Sequence, residues 1–199
     1  MAPGMSLHSV IAILILSTDT APESSRLYAK YYTPPHTSAT FPAPPQPYPT
    51  LKEQKAFEKG LLEKTAKQTS DVILYDNKVV VFKMESDVMI YVVGGPEENE
   101  ILLYNVVLCL RDTLSILLKN STDKRTIMEN YDLVTLAIDE TVDDGIVLET
   151  DPVMVASRVS KAPAQDAPNM KNIDLSEQGI QNLWEFGKKQ GMEFVRRNL

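Results

Sequence analysis

Residues 71–95, DVILYDNKVVVFKMESDVMIYVVGG, decide the fold because three short β-rich runs alternate here with two polar turns. The runs are 71–75, 79–84 and 88–94, and their valine, isoleucine, tyrosine and phenylalanine content is typical of strands. The intervening turns are only about three residues long, which favours antiparallel pairing between neighbours. The stretch therefore predicts a three-stranded antiparallel meander.

Two further strands are predicted upstream. Residues 9–17, SVIAILILS, are apolar without polar alternation, as expected of a strand covered on both faces. Residues 26–32, RLYAKYY, form a second candidate after a polar turn. An export signal is the alternative for the first run, but no Lys or Arg precedes it and no small-residue cleavage site follows. We therefore predict an α/β (α+β) fold, a five-stranded mostly antiparallel sheet with helices on both faces.

Local signals place four helices around these strands. Thr50 and Glu53 form a capping box that opens a helix to about residue 68. A long helix is predicted from Pro96 to about Lys119, and a third covers 126–145 with Gly145 as its C-terminal stop. A short last helix begins at the Asp151-Pro152 pair and runs to about Val159.

The long helix is apolar around most of its circumference, with one narrow polar stripe. One face of a sheet cannot cover so much apolar surface, so the excess must meet other helices of the chain or a partner. At about 25 cal/mol per Å² of apolar area, several exposed leucines would forfeit several kcal/mol. This helix therefore predicts either close packing against other helices of the chain or association with a partner protein.

The remaining segments define the domain organisation. Residues 34–49 hold seven of the thirteen prolines, which excludes a helix interior or a central strand and predicts an exposed loop. We predict one domain over 1–160 with this proline-rich loop inserted, a linker at 161–174 and a helical tail at 175–199.

Composition restricts the function classes. The formal net charge is −7 and the isoelectric point is about 4.9, so the broad positive field that nucleic acids require is missing. The single cysteine, Cys109, excludes an intramolecular disulfide and a multi-thiolate zinc site. We expect it to be a small buried hydrophobe of the long helix.

The sequence offers little catalytic chemistry. Its two histidines are His8, beside the first strand, and His36, in the proline-rich loop, so any histidine base would have to come from these unpromising positions. Four acids, Asp139, Glu140, Asp143 and Asp144, lack the spacing of a calcium loop and are expected on a solvated helix face. We predict no catalytic, cofactor or metal residues, and an unrecognised hydrolase or metal enzyme is a distant alternative.

Four stretches go beyond general patterns and resemble the zeta subunits of the coatomer vesicle coat, and the element order is similar to that of longin-type domains. The likeness extends from residue 9 to about 160. It is most specific in KEQKAFEK and in DETVDDGIVLETDP. The stretches are LYAKYY (27–32), YPTLKEQKAFEKGLLEKT (48–65), ENEILLYNVVLCLRDTLSILLKN (98–120) and DLVTLAIDETVDDGIVLETDP (132–152).

The resemblance implies a longin-like coat protein of the cytosol that forms a heterodimer with the coatomer gamma subunit and joins the other coatomer subunits. It implies peripheral attachment to Golgi membranes and COPI vesicles, with an Arf-family GTPase acting indirectly, in retrograde Golgi-to-endoplasmic-reticulum and intra-Golgi transport. The alternative is a clathrin-adaptor-type small chain that helps to bind dileucine sorting signals. Which residues face the partner is left open. The proline-rich loop and the linker after Lys161 depart from the family pattern, but both fall where insertions are tolerated.

Overall fold

The elements surrounding the meander are visible in a computed structural model of the chain, which describes residues 7–19, 25–33 and 47–160. These residues belong to one unit that ends at Ser160. The predicted linker and helical tail, most of the proline-rich loop and His36 lie outside the described residues.

Five strands form one antiparallel sheet, which confirms the predicted fold class. Their order across the sheet is β2-β1-β5-β4-β3, and all neighbours pair antiparallel. Pairing of β1 with β5 joins the upstream strands to the meander and makes β1 a buried central strand. The strands are β1 (Val10–Ser17), β2 (Arg26–Tyr31), β3 (Val72–Tyr75), β4 (Lys78–Glu85) and β5 (Val88–Gly94).

Helices cover both faces of this sheet. One face of the sheet packs against the first helix and the other against the later helices. A two-stranded hairpin, which the sequence did not predict, follows the fourth helix and precedes the fifth along the chain. The elements are α1 (Leu51–Thr65), α2 (Glu100–Leu117), α3 (Lys124–Glu129), α4 (Tyr131–Thr141), β6 (Val142–Asp143), β7 (Ile146–Val147) and α5 (Pro152–Val159).

Alternate residues of β1 belong to two separate cores. Leu14 and Leu16 pack in the core that contains Phe57 and Leu61 of α1. Ile13 and Ile15 pack in the larger core shared with α2, α4 and α5. Because successive side chains of a strand point to opposite faces, an unbroken apolar run is what such a doubly covered strand requires.

The capping box at the start of α1 is confirmed. The Thr50 hydroxyl accepts from the Glu53 backbone N–H at 3.3 Å, and the Glu53 carboxylate accepts from the Thr50 N–H at 3.2 Å. Two backbone donors that a helix start leaves without intrahelical partners are thereby satisfied.

The predicted start of the long helix at Pro96 is wrong. The structure begins α2 at Glu100, with Asn99 as the cap, whose side-chain oxygen accepts from the Ile101 N–H at 2.9 Å. Pro96 instead lies in a turn in which the Glu98 N–H donates to the Gly95 carbonyl at 3.2 Å. An asparagine side chain that reaches its own helix start outcompetes the weaker proline signal.

The single predicted third helix is also wrong, because α3 and α4 replace it. They meet at Asn130, whose backbone leaves the helical region and whose side-chain amide donates to the Thr126 carbonyl at 2.8 Å. Such local side-chain bonds compete with helix continuation. Gly145 does not stop a helix: with Asp144 it forms the turn of the β6–β7 hairpin, both residues having positive φ, as two-residue hairpin turns require.

The apolar excess of α2 is largely covered by the chain itself. The helix packs against the sheet and also against α4 and α5. On the α5 side the Thr113 hydroxyl donates to the Pro152 carbonyl at 3.4 Å. Ile101, 68% exposed, and Ile116, 49% exposed, are the helix's large apolar side chains that stay in solvent. Other elements of the chain, rather than a partner, therefore cover most of the apolar surface of α2.

Candidate partner-binding site

A groove of about 800 Å³ lies at the end of the domain where β5 leads into α2. It is called the terminal groove below. Apolar side chains dominate its walls, and the segments that form it are distant in sequence. The lining residues are Leu7, Ser9, Gly95, Pro96, Glu97, Glu98, Asn99, Leu102, Ile146, Val147, Leu148, Glu149 and Thr150.

The first wall is the turn between β5 and α2, and a glycine holds it close to the helix. A Cβ on Gly94 would lie 2.5 Å from a Leu103 methyl group and 3.1 Å from the Ser9 carbonyl oxygen. Only a residue without a side chain lets α2 approach the sheet end this closely. Gly94 therefore allows the close packing between the end of β5 and α2 that positions this wall.

The second wall is the β6–β7 hairpin and the segment that follows it. The Gly145 carbonyl accepts from the N–H groups of both Ser9 and Val10, each at 3.0 Å, which fastens the hairpin turn to the start of β1. Further on, the Leu148 N–H donates to the Thr141 carbonyl at 2.9 Å. Backbone bonds thus fix the wall at both ends.

The rim of the groove is acidic. Glu97, Glu98 and Glu149 are its three charged residues, and none of the thirteen lining residues is Lys, Arg or His. Glu149 is partly neutralised by the Arg158 guanidinium at 3.5 Å. Within the described part of the chain, no cation lies within ion-pair distance of Glu97 or Glu98. The carboxylates of Glu97 and Glu98 therefore dominate the electrostatic field at the opening of the groove.

Large apolar side chains are exposed at and around the groove. Leu7 is 78% exposed and Leu148 is 56% exposed, and both line it. Elsewhere on the described surface, exposed apolar residues are distributed over several elements. These are Leu51, Leu74, Met84, Ile101, Ile116, Met128, Tyr131, Leu136, Val153 and Met154.

A second, smaller groove of about 440 Å³ lies between the C-terminal part of α1 and the sheet. Met84 and Phe82 contribute apolar surface, and Glu63 and Asp71 contribute charge.

The hydroxyls of Thr65, which lines this second groove, and of Tyr91 lie 2.7 Å apart and hydrogen-bond to each other in the core. Burial raises the pKa of Tyr91 to about 12, so this phenol stays neutral at physiological pH.

The predicted acidic cluster does not act as one group. Asp139 pairs with Lys30 at 2.7 Å and Glu140 with Arg158 at 2.8 Å, whereas Asp143 and Asp144 belong to the hairpin. Over residues 7–19, 25–33 and 47–160, no grouping of three or more His, Cys, Asp or Glu suits a metal ion. Two of these acids therefore lie on α4 in separate ion pairs, and the other two lie in the β6–β7 hairpin.

Cys109 is a buried side chain of α2, as predicted, with 2% of its surface exposed. Burial raises the pKa of its thiol, so the reactive thiolate is disfavoured. We expect an aromatic disulfide reagent at pH 8 to modify the folded protein at least about a hundredfold more slowly than the unfolded chain, because reaction requires opening. Absorbance of the released thiolate measures both rates. Rapid stoichiometric labelling without denaturant would contradict the buried placement.

None of the helices among the described residues is long and apolar enough to cross a membrane.

Comparison with families and individual proteins gives a consistent result. The family model of the clathrin adaptor complex small chain matches residues 9–166. Coatomer subunit zeta of Saccharomyces cerevisiae is 42% identical over 195 residues, covering 98% of both chains. Human coatomer subunit zeta-1 is 39% identical, covering 93% of this chain and 92% of the relative. The rice zeta-1 subunit is 38% identical over 83% of this chain and 86% of its own.

A structural neighbour agrees on the fold. It is a chain of a homology model of the full-length AP-3 complex in a stretched open conformation, with a TM-score of 0.53 and 15% identity. The match covers 75% of this chain and 90% of that chain. At this identity the likeness concerns the fold.

Proposed function

The chain belongs to the clathrin adaptor small-chain family and, within it, to the zeta subunits of the coatomer (COPI) coat, and from this premise we propose that it is a non-catalytic subunit that packs against the coatomer gamma subunit. The alignment with yeast coatomer zeta, which spans almost the whole of both chains, carries the proposal. Two chains that align over almost their whole length at this level of identity are expected to take the same place in an assembly.

The surface supports a packing role. Exposed leucines at the terminal groove and exposed isoleucines on α2 leave apolar area in water that association would remove. Each side chain fully buried in a partner contributes about 1.5–3 kcal/mol. Several such residues together would help to offset the free-energy cost of bringing two chains together.

We extend the proposal to the cellular process. Through gamma and the remaining coatomer subunits, the chain joins a coat recruited from the cytosol to Golgi membranes, peripherally and with an Arf-family GTPase bound by the larger subunits. The coat then acts in retrograde Golgi-to-endoplasmic-reticulum transport and in transport within the Golgi.

Replacement of the yeast relative tests this proposal. In yeast whose own coatomer zeta is switched off, expression of this chain is expected to restore growth and retrieval of a reporter that cycles from the Golgi to the endoplasmic reticulum. The yeast gene and an empty vector are the positive and negative controls. A chain that accumulates in folded form yet is absent from immunoprecipitated yeast coatomer would contradict the proposed place in the coat.

A further inference from the structure

We propose that the terminal groove binds a segment of the larger coat subunit that presents aliphatic side chains flanked by lysine or arginine. The inference rests on the proposed function and specifies where the partner docks and what chemistry it presents.

The interior of the groove sets the apolar requirement. Its volume of about 800 Å³ lies in the upper part of the range of about 300–1,000 Å³ typical of binding pockets, so it has room for several aliphatic side chains. Leu7 and Leu148 are exposed there, and Leu102, Ile146 and Val147 are half-buried. Covering these residues removes apolar surface from water, which favours an occupant with a matching aliphatic face.

The rim sets the charge of the occupant. Glu97 and Glu98 stand just before the N-terminus of α2, whose dipole offsets about half of one negative charge. Since Glu149 is engaged by Arg158, the net field at the mouth comes from the two remaining carboxylates and is negative. Basic flanking residues gain from this field, whereas acidic peptides, anionic lipid and nucleic acid are repelled.

The charge also argues against a second copy of this chain as the occupant. The chain carries a formal net charge of −7, so two copies repel each other overall. Docking one copy's acidic rim on another would bring like charges together at the contact. A different chain with a basic segment fits both the rim and the interior.

The walls are held in place before binding. The Gly145 carbonyl anchors one wall by two backbone bonds, to Ser9 and to Val10 at the start of β1, and Gly94 lets the other pack closely against Leu103. A groove formed in advance loses little conformational freedom on binding, and this leaves more of the contact energy for affinity. Residues on both walls are therefore suitable positions for substitution.

Affinity between the purified full chain and the larger coat subunit tests the inference, with two kinds of groove variant. Leu148→Glu places a charge in the apolar interior and is expected to weaken binding about 30-fold, the size of an interface hot spot. The double variant E97K/E98K is expected to weaken it about tenfold and to reduce its dependence on salt concentration. All these positions are exposed or half-exposed, and thermal unfolding verifies that each variant folds.

Matched controls lie away from the groove. Leu136→Glu is a comparable change at a leucine of α4 that is also exposed, and Glu63→Lys reverses an exposed acid on α1. Both are expected to bind within about twofold of the original chain, as substitutions outside an interface do.

The results of these binding measurements distinguish a wrong docking site from a wrong proposed function. Unchanged affinity in both groove variants, with the original chain binding well, would overturn the docking site but leave the heterodimer intact. Equal losses in the groove variants and in the α4 control would likewise overturn it. Absence of binding by the original chain would refute the proposed function itself.

Discussion

Replacing Glu58 with glutamine is expected to lower the free energy of unfolding by about 3 kcal/mol, since it leaves the half-buried Arg26 guanidinium without its counter-charge. The Glu58 side chain is 3% exposed. Its carboxylate accepts from the Arg26 guanidinium at 2.6 and 2.9 Å and from the Tyr31 hydroxyl at 2.9 Å. These bonds tie α1 to the edge strand β2. Because Arg26 keeps some solvent contact, we place the loss at the lower end of the range for buried pairs.

Urea unfolding followed by circular dichroism measures this effect. Glu63→Gln, an exposed position on the same helix, is the matched control and should change the free energy of unfolding by less than about 0.5 kcal/mol. A double variant with leucine at both Arg26 and Glu58 is expected to recover much of the loss, because no buried charge is left unpaired. Equal stability of the Glu58→Gln variant and the original chain would show that the pair is not a structural tie.

Substituting Gly145 by alanine is expected to cost about 3 kcal/mol, from the strain of a left-handed backbone together with overpacking. Gly145 has a φ of +79°. A Cβ there would lie 2.4 Å from the His8 ring and 2.5 Å from the Val10 carbonyl oxygen. Since the second contact is to backbone of the central strand, a rotamer change cannot relieve it. The hairpin must move, and with it one wall of the terminal groove.

Gly95→Ala is the matched control for this prediction. Nothing lies within 4 Å of a Cβ at Gly95, and its φ is not in the left-handed region. Its stability should therefore stay within about 0.5 kcal/mol of the original chain. Thermal unfolding of the two variants side by side decides the matter: equal midpoints would mean that the hairpin turn accommodates a side chain and does not anchor the wall.

Local signals made much of the fold predictable. Thr50 and Glu53 mark the start of α1 through bonds within four residues, and the meander follows from strand runs joined by polar turns. The unbroken apolar sequence of β1 implied helices on both faces of the sheet, and the two cores agree. These features depend on neighbours in sequence or on a simple period, which a sequence displays directly.

The terminal groove was not predicted because no local pattern encodes it. It combines residues near position 7, around 95–102 and at 146–150, which come together only after the chain has folded. Asp144-Gly145 was the available signal: this pair is a strong hairpin marker, yet the preceding apolar spacing favoured a helix that ends at the glycine. The Glu58 pairing was equally hidden, since Arg26 lies 32 residues away.

Coexpression with the coatomer gamma subunit, followed by size-exclusion chromatography with light scattering, determines whether the two chains form a heterodimer. We expect one peak with the mass of a 1:1 heterodimer, in which the chain stays bound at concentrations well below micromolar. Two folded, well-behaved proteins that elute separately at their monomer masses would contradict it.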